Sequence, residues 1–353
     1  MTTNTLNNVL PRVRNRIGFT LIELLIVISI IAILAGLLLP VIGTVRRRGQ
    51  VTATVLEIQS LKNAIEQYKN KFGDYPPDGS NSVVFERHIR TAFPRIAPEE
   101  IKDFMTLIRE DHMLSTTILD PAEALVFFLG GFSDDPRYPF TGKGGPLTLV
   151  VPGQLPVADR NPGLFDFDPT RLSTFESDDL ADTAFLTGTL NSGRVVTALA
   201  SDDEATFNTN DEQDIFPVYL PKGMDVPFVY FDSRTYMSRS IYAYYVNNVP
   251  QAVPPAQYPH WHHHGTPNIK GTARPYRSDQ PRQITQGDQH SYKWINTDTF
   301  QIIAAGIDND FGDFDSNNAI GINRHYPSGD DYSDGDKSNI TSFSRGTLED
   351  DIP

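Results

Sequence analysis

The chain of 353 residues contains no cysteine. This absence excludes a disulfide framework, a thiolate nucleophile and any metal site that is built on cysteine. The sequence also lacks the patterns of a nucleophile elbow, a phosphate-binding loop and a zincin helix, and no pair of catalytic carboxylates stands out. We therefore expect that the protein is not an enzyme. Structural or surface roles are expected for the isolated histidines His88, His112, His290 and His325.

Basic residues are scarce in most of the chain. Residues 1–72 carry nine Lys and Arg against three Glu, whereas residues 73–353 carry 21 basic and 41 acidic side chains. Because phosphate binding requires a basic surface, the acidic body argues against nucleic acid as a partner. The charge balance is typical of a soluble domain that attracts cations.

A long apolar run begins close to the amino terminus. From Phe19 to Leu39 there are 21 residues, and Glu23 is the only ionisable residue among them. At about 1.5 Å per residue, such a helix spans roughly 30 Å, the thickness of the hydrocarbon core of a bilayer. We predict a transmembrane segment. A carboxylate inside it is costly, so Glu23 is a candidate functional residue.

Two other kinds of segment compete with this prediction. A secretory signal peptide has an apolar region of only about 7–15 residues, so this run is too long for one. A plain signal anchor stays open as an alternative. Arg12, Arg14 and Arg16 favour a cytoplasmic amino terminus, but Arg46–Arg48 follow the run directly and oppose it. The charge rule alone therefore leaves the orientation open.

A specific motif stands at the start of the run. Gly18-Phe19-Thr20-Leu21-Ile22-Glu23 follows a basic leader, and it resembles the processing site of type IV prepilins and of type II secretion pseudopilins. The resemblance implies that a prepilin peptidase cuts between Gly18 and Phe19 and N-methylates Phe19. Residues 1–18 are then a cleaved leader, and the amino terminus is cytoplasmic.

The same resemblance gives roles to two residues of the mature helix. Glu23 is the fifth residue after the cut, and the family's Glu at this place can neutralise the terminal amine of a neighbouring subunit. Two groups that are costly alone in lipid thereby become tolerable together. Pro40 is the twenty-second residue after the cut, and it is expected to kink or locally melt the helix.

The helix is predicted to continue beyond the membrane. Residues 19–72 form it, with residues 19–45 as the transmembrane and assembly segment. An apolar stripe at helical spacing predicts that the second half packs on a sheet, and it consists of Leu61, Ile65, Tyr68 and Phe72. Gly73 and Pro76 end the helix. The segment Phe72-Gly73-Asp74-Tyr75-Pro76 resembles the place where major pseudopilins leave their long helix.

Residues 73–353 are predicted to form an extracytoplasmic head, with an insertion at about residues 80–212. Helices are indicated after Pro98 and after Asp120-Pro121, the second ending at Gly130-Gly131. Four β-rich runs are expected to form a mainly antiparallel sheet with one face partly wet: Phe216–Leu220, Phe228–Phe231, Ile241–Val246 and Phe300–Ala304. With the resemblance, the expected fold is α+β and pilin-like: a long amino-terminal helix, half transmembrane and half packed on an antiparallel β-sheet, with an enlarged loop-rich head.

Two segments of the head have residues that could bind a metal. Histidines surround Trp261, but neighbouring histidines in one loop rarely converge on one ion, so an exposed polar loop is favoured for His260, His262, His263 and His264. The acidic loop 306–343 resembles the calcium loop of major pseudopilins, although it lacks the simple Asp-Gly turn and is longer. The resemblance implies bound calcium, which prefers oxygen ligands. The candidate ligands are Asp308, Asp310, Asp313, Asp315 and Asp336.

The resemblance is to a pseudopilin of a type II secretion system, nearest to the major, G-type subunit with a large insertion. It implies a structural subunit in the inner membrane that assembles with other pseudopilins into a short periplasmic fibre for protein export. The implied partners are further pseudopilin subunits, a prepilin peptidase, the inner-membrane secretion platform and membrane lipid. Two alternatives stay open: a type IV pilin or minor tip pilin for adhesion, motility or DNA uptake, and a membrane-anchored binding protein or enzyme.

Overall fold

The structure is a computed structural model that describes thirteen ranges of the chain. They are residues 20–107, 119–149, 160–172, 185–189, 195–199, 216–236, 244–246, 249–251, 261–262, 271–281, 292–312, 324–330 and 332–353. The chain divides into two compact units, residues 1–48 and residues 49–353.

The first unit contains the beginning of helix α1, which runs from Leu21 to Phe72 over 52 residues. The large apolar side chains between Leu21 and Leu34 are 43–82% exposed. Pro40 lies inside α1, and helix is assigned on both sides of it and at Pro40 itself. The helix therefore does not melt locally at Pro40, whereas the expected kink stays a prediction. In the described part of the chain, no helix is long and apolar enough to cross a membrane.

The second unit contains the end of α1 and all the other described elements. The further helices are α2 (Ser82–Ala92), α3 (Pro98–Leu107), α4 (Ala124–Leu129) and α5 (Asp334–Ser338). The strands are β1 (Thr148–Leu149), β2 (Phe185–Thr189), β3 (Val195–Leu199), β4 (Val229–Asp232), β5 (Tyr244–Val246), β6 (Val249–Gln251), β7 (Trp261–His262), β8 (Thr272–Ala273), β9 (Arg277–Pro281), β10 (Tyr292–Trp294), β11 (Phe300–Ala304), β12 (His325–Tyr326) and β13 (Ile340–Thr341).

The central sheet of this unit has the strand order β13-β11-β4, with both pairings antiparallel. The predicted stripe of α1 packs against it, because Leu61, Ile65 and Tyr68 share one buried cluster with the β11 residues Phe300 and Ile302. Packing of the second half of the helix on an antiparallel sheet is thus confirmed.

The opposite face of the central sheet is also buried. Alternate residues point to a second cluster, with Val229 and Phe231 from β4 and Ile303 from β11. All residues of β4 and β11 are buried. The expectation that one face is partly wet was wrong, because a second layer that includes Trp261 and Tyr276 covers it. Successive side chains along β4 and β11 therefore pack alternately into the two hydrophobic clusters on the two faces of the sheet.

Two of the four predicted strands do not join the central sheet. In the run Phe216–Leu220, the single β-bridge joins Tyr219 to Leu172. Pro217 lacks the N–H group that a longer ladder of hydrogen bonds would need. Of the run Ile241–Val246, residues 241–243 lie outside the described residues, and the rest forms β5, which pairs with β6. The run Phe300–Ala304 matches β11, and Phe228–Phe231 matches β4 with a shift of one residue.

Besides the β5–β6 pair, three smaller groups of described strands lie outside the central sheet. Strands β1, β3 and β2 form one sheet, and β10, β9 and β12 form another in which β12 runs parallel to β9. Strands β7 and β8 pair with each other. The predicted helix ends after α1 and α4 are confirmed at Gly73 and Gly130. The described residues together confirm an α+β fold.

Candidate functional site

The beginning of α1 is organised by Thr20 and Glu23. The backbone N–H of Thr20 donates to Glu23 Oε2 at 2.9 Å, and the Thr20 hydroxyl donates to the same oxygen at 2.8 Å. The backbone N–H of Glu23 donates to Thr20 Oγ1 at 3.3 Å. This reciprocal pattern is a capping box, which satisfies backbone donors that a helix start leaves without partners.

The capping box gives Glu23 a role within its own chain. A carboxylate in the first turn of a helix also meets the positive end of the helix dipole. The Thr20-x-x-Glu23 spacing before an apolar run was a sequence signal for this role, and the sequence analysis missed it. The implied pairing of Glu23 with a neighbouring subunit stays a prediction. Gly18 and Phe19, the predicted processing residues, lie outside the described residues.

The predicted calcium ligands fall into two groups. Asp313 and Asp315 lie outside the described residues, whereas Asp308, Asp310 and Asp336 lie within them. Asp308 Oδ1 accepts a bond from Ser338 Oγ at 2.6 Å and one from the Asp310 N–H at 3.2 Å. Asp310 Oδ1 accepts a bond from the Gly312 N–H at 2.8 Å. These carboxylates stabilise the turn after β11.

Asp336 has a different environment. Its side chain is buried, Arg324 Nε lies 3.0 Å from its Oδ1, and the Tyr276 hydroxyl donates to that oxygen at 2.8 Å. Its Oδ2 accepts bonds from the N–H and the hydroxyl of Ser333, which caps α5. The carboxylate is thus occupied by protein donors, and it does not fit the role of a calcium ligand.

Among the described residues, no three or more His, Asp or Glu side chains form a group that could hold a metal ion. Calcium therefore stays a prediction that rests on sequence resemblance and on Asp308, Asp310, Asp313 and Asp315. Asn309 takes a left-handed backbone conformation with φ +57°. Asn tolerates that conformation better than most residues.

Trp261 of the histidine-rich loop and the isolated His88 are both buried. Trp261 is buried, and its indole N–H donates to Asp120 Oδ2. His260, His263 and His264 lie outside the described residues. His88 is buried on α2, and its Nε2 lies 2.8 Å from the Tyr68 hydroxyl of α1. Burial lowers the pKa of His88 to about 4, so the ring is neutral at physiological pH.

A charged cluster holds the segment after α1 against β4. Arg234 donates to Asp74 at 2.6 Å, to Asp232 at 2.6 Å and to the Tyr75 carbonyl at 2.7 Å. Burial raises the pKa of Asp232 to about 7, although the neighbouring guanidinium opposes this shift. Burial also raises the pKa of Asp78, which accepts a bond from the Asp232 N–H. The cluster joins elements that are distant in sequence, so sequence analysis did not find it.

The long amino-terminal helix, the capping box at its start and the head with helices packed on an antiparallel sheet define an α+β, pilin-like class of protein. The family described as the prokaryotic N-terminal methylation motif matches residues 13–39. The match includes Gly18, Phe19 and Glu23, and the amino-terminal part of the chain is therefore type IV pilin-like.

Three relatives show how far this likeness extends. The type IV major pilin protein PilE of Neisseria gonorrhoeae is 40% identical over 67 residues, which are 19% of this chain and 40% of the relative. The fimbrial protein of Neisseria meningitidis serogroup A is 39% identical over 67 residues, 19% of this chain and 39% of the relative. The fimbrial protein of Pseudomonas aeruginosa is 51% identical over 49 residues, 14% of this chain and 32% of the relative.

The likeness is confined to a part of each protein. The chain covers about two fifths of the length of the first two relatives. No solved structure matches the chain. The head is therefore described by its own contacts, and the comparisons bear on the amino-terminal segment.

Proposed function

We propose that this protein is a filament subunit that a prepilin peptidase processes and methylates, and that it serves as a pseudopilin of a type II secretion system. The observation that carries the proposal is the methylation motif at the start of α1, ahead of large apolar side chains that are 43–82% exposed. Apolar surface of this extent needs lipid or a partner helix to cover it.

The proposed cycle uses one segment in two environments. Residues 19–45 lie in the inner membrane before assembly, with the amino terminus cytoplasmic and the head outside. During assembly, the same apolar surface packs against the helices of neighbouring subunits on the secretion platform. Glu23, which the capping box holds at the start of the helix, then faces the methylated amine of Phe19 in a neighbour. The fibre does mechanical work, and the head needs no catalytic group.

A second candidate function is a type IV pilin or a minor tip pilin. The names of the relatives favour it, because they are a type IV major pilin and two fimbrial proteins. Deletion of the gene in its host separates the two functions. Secreted proteins that accumulate in the periplasm while surface fibres persist would support the pseudopilin. Loss of surface fibres with normal secretion would support the pilin.

Processing is tested by co-expression with a prepilin peptidase. The wild-type chain is expected to begin at N-methylated Phe19, whereas Gly18→Val is expected to keep its leader in full, as measured by intact mass. Gly36→Ala is the matched control, because a methyl group at Gly36 meets nothing within 4 Å. A Gly18→Val chain that still begins at methylated Phe19 would overturn the proposed processing.

A further inference from the structure

The acidic carboxyl-terminal segment contains its own cations. Residues 303–353 include eleven Asp and Glu against Arg324, Lys337 and Arg345. Each of the three cations pairs with an acid of the same segment. Two of the pairs have a partner that is largely exposed, and such pairs contribute little. In the third, Arg324 and Asp336, both side chains are buried, with 6% and 1% exposed.

The position of Arg324 is fixed by contacts with more than one element. Its Nε lies 3.0 Å from Asp336 Oδ1, and its Nη1 donates to the Thr272 carbonyl of β8 at 3.1 Å. The guanidinium also lies over the ring of Tyr276, at 6.0 Å from the centroid. One side chain thus links the residue before β12 to β8 and to α5.

The carboxylate of Asp336 has a full set of donors. Tyr276 and Arg324 bond to Oδ1, and the N–H and hydroxyl of Ser333 bond to Oδ2 at 2.9 and 2.7 Å. An ionised carboxylate offers about four lone-pair sites, so these four contacts use them all. A divalent cation could bind Asp336 only by displacing one of these donors.

The turn after β11 closes the space beside this carboxylate. A side-chain carbon added at Gly312 would lie 2.5 Å from Asp336 Oδ2 and 2.5 Å from Ser333 Oγ. One added at Gly335 would lie 2.7 Å from the Gly312 nitrogen. Asn339 joins the same cluster, because its Nδ2 donates to the Tyr276 hydroxyl at 2.8 Å and to the Phe311 carbonyl at 3.1 Å. Backbone and side chains therefore pack directly around Asp336.

We propose that Arg324 is the resident cation of the carboxyl-terminal segment, and that it closes this segment at Asp336 without a divalent cation. The guanidinium neutralises the buried carboxylate that sequence resemblance assigned to calcium. It also links β8 to α5. The closure of the segment thereby becomes part of the fold itself and is independent of the calcium concentration.

The test is thermal unfolding of the full-length chain in detergent, in the presence of a chelator and of millimolar calcium. Arg324→Gln removes the cation that lies 3.0 Å from the buried Asp336, so Tm is expected to fall by on the order of 10 °C. Lys337→Gln is the matched control, since it removes the exposed pair with Asp334 on the same helix. Its expected shift is at most about 2 °C. Any shift in Tm that calcium causes in the wild-type chain is expected to be the same in Asp336→Asn.

The double variant Arg324→Gln with Asp336→Asn is expected to recover part of the loss, because it removes both charges of the buried pair together. If Arg324→Gln does not fold, hydrogen exchange on the wild-type chain tests the proposal instead. Peptides of residues 324–343 are then expected to be equally protected in chelator and in calcium. An Arg324→Gln shift no larger than that of the control would overturn the proposal. So would a stabilisation by calcium that Asp336→Asn abolishes, or exchange protection of residues 324–343 that requires calcium.

Discussion

Residues 21–48 and residues 49–72 of α1 share one secondary structure but differ in what their apolar side chains contact. In the first part the large apolar residues lie around the whole helix, and they are 43–82% exposed between Leu21 and Leu34. In the second part they form a stripe, and Leu61, Ile65 and Tyr68 are fully buried in the core of the head. The pattern of apolar residues, rather than their number, thus decides whether a helix completes its own core or needs an external partner.

The largest expected effect concerns Glu23 in the first part of the helix. Glu23→Ala is expected to leave the chain in the membrane and to lower fibre yield by at least about a hundredfold, because the amine of Phe19 in a neighbouring subunit would lose its proposed partner. Thr20→Ala is the control that separates capping from pairing. It removes the hydroxyl of the capping box, which costs about 0.5–2 kcal/mol, but keeps the carboxylate. Fibres counted by electron microscopy in equal numbers from Glu23→Ala and wild type would refute the pairing.

The second prediction compares one substitution in the two parts of α1. Leu61 is fully buried, so Leu61→Ala is expected to lower the free energy of unfolding of the head by about 2–5 kcal/mol. Leu25 is 53% exposed, so Leu25→Ala is expected to change it by less than about 0.5 kcal/mol. Denaturant titration of both variants in detergent measures the difference. Equal losses would mean that the two parts do not differ as described.

The third prediction concerns the pH dependence of the head. Folded His88 has a pKa lowered by burial from 6.5 to about 4, whereas unfolded His88 binds a proton below pH 6.5. The folded state therefore loses stability from His88 as pH falls from 6.5 towards 4, by about 2 kcal/mol at pH 5. Asp232 has the opposite effect on stability. Because its pKa is raised to about 7 in the folded state, it binds a proton there more readily than in the unfolded state, and its contribution to stability increases as pH falls below 7.

A difference between two chains isolates the histidine from Asp232. His88→Gln lacks the group that destabilises the folded wild-type chain in acid. The free energy of unfolding of the variant minus that of wild type is therefore expected to increase by about 2 kcal/mol as the pH is lowered from 7.5 to 5. Arg90→Gln on the same helix removes only an exposed ion pair with Glu86, and its difference from wild type is expected to be constant with pH. Urea titrations at several pH values measure both. Parallel pH profiles for His88→Gln and wild type would contradict the assigned burial of the ring.

Local patterns in the sequence predicted much of the fold. The run Phe300–Ala304 matches β11, and the stripe of α1 matches the buried face, because both depend on short periodic patterns. The end of α1 was found from Gly73, which adopts φ +90°. Residues 20–23 carried a capping-box pattern that was present in the sequence and was missed.

The contacts that sequence did not predict join residues far apart in the chain. The Arg324–Asp336 pair and the Arg234 cluster with Asp74 depend on how the strands are ordered, which no local pattern specifies. The buried acid Glu100 is similar, because it lies in the first turn of α3 and also accepts bonds from the N–H groups of Phe140 and Thr141. Resemblance predicted Asp336 as a metal ligand, and only its four protein donors show the different role.

The central claim is that the exposed apolar helix is the processed assembly segment of a filament subunit. The most direct measurement is the intact mass of the natural chain, isolated from the membrane and fibre fractions of its host. The claim predicts one mature species that lacks residues 1–18 and carries one methyl group on the amine of Phe19. A chain that still begins at Met1 in those fractions, or that begins at any residue other than Phe19, would contradict it.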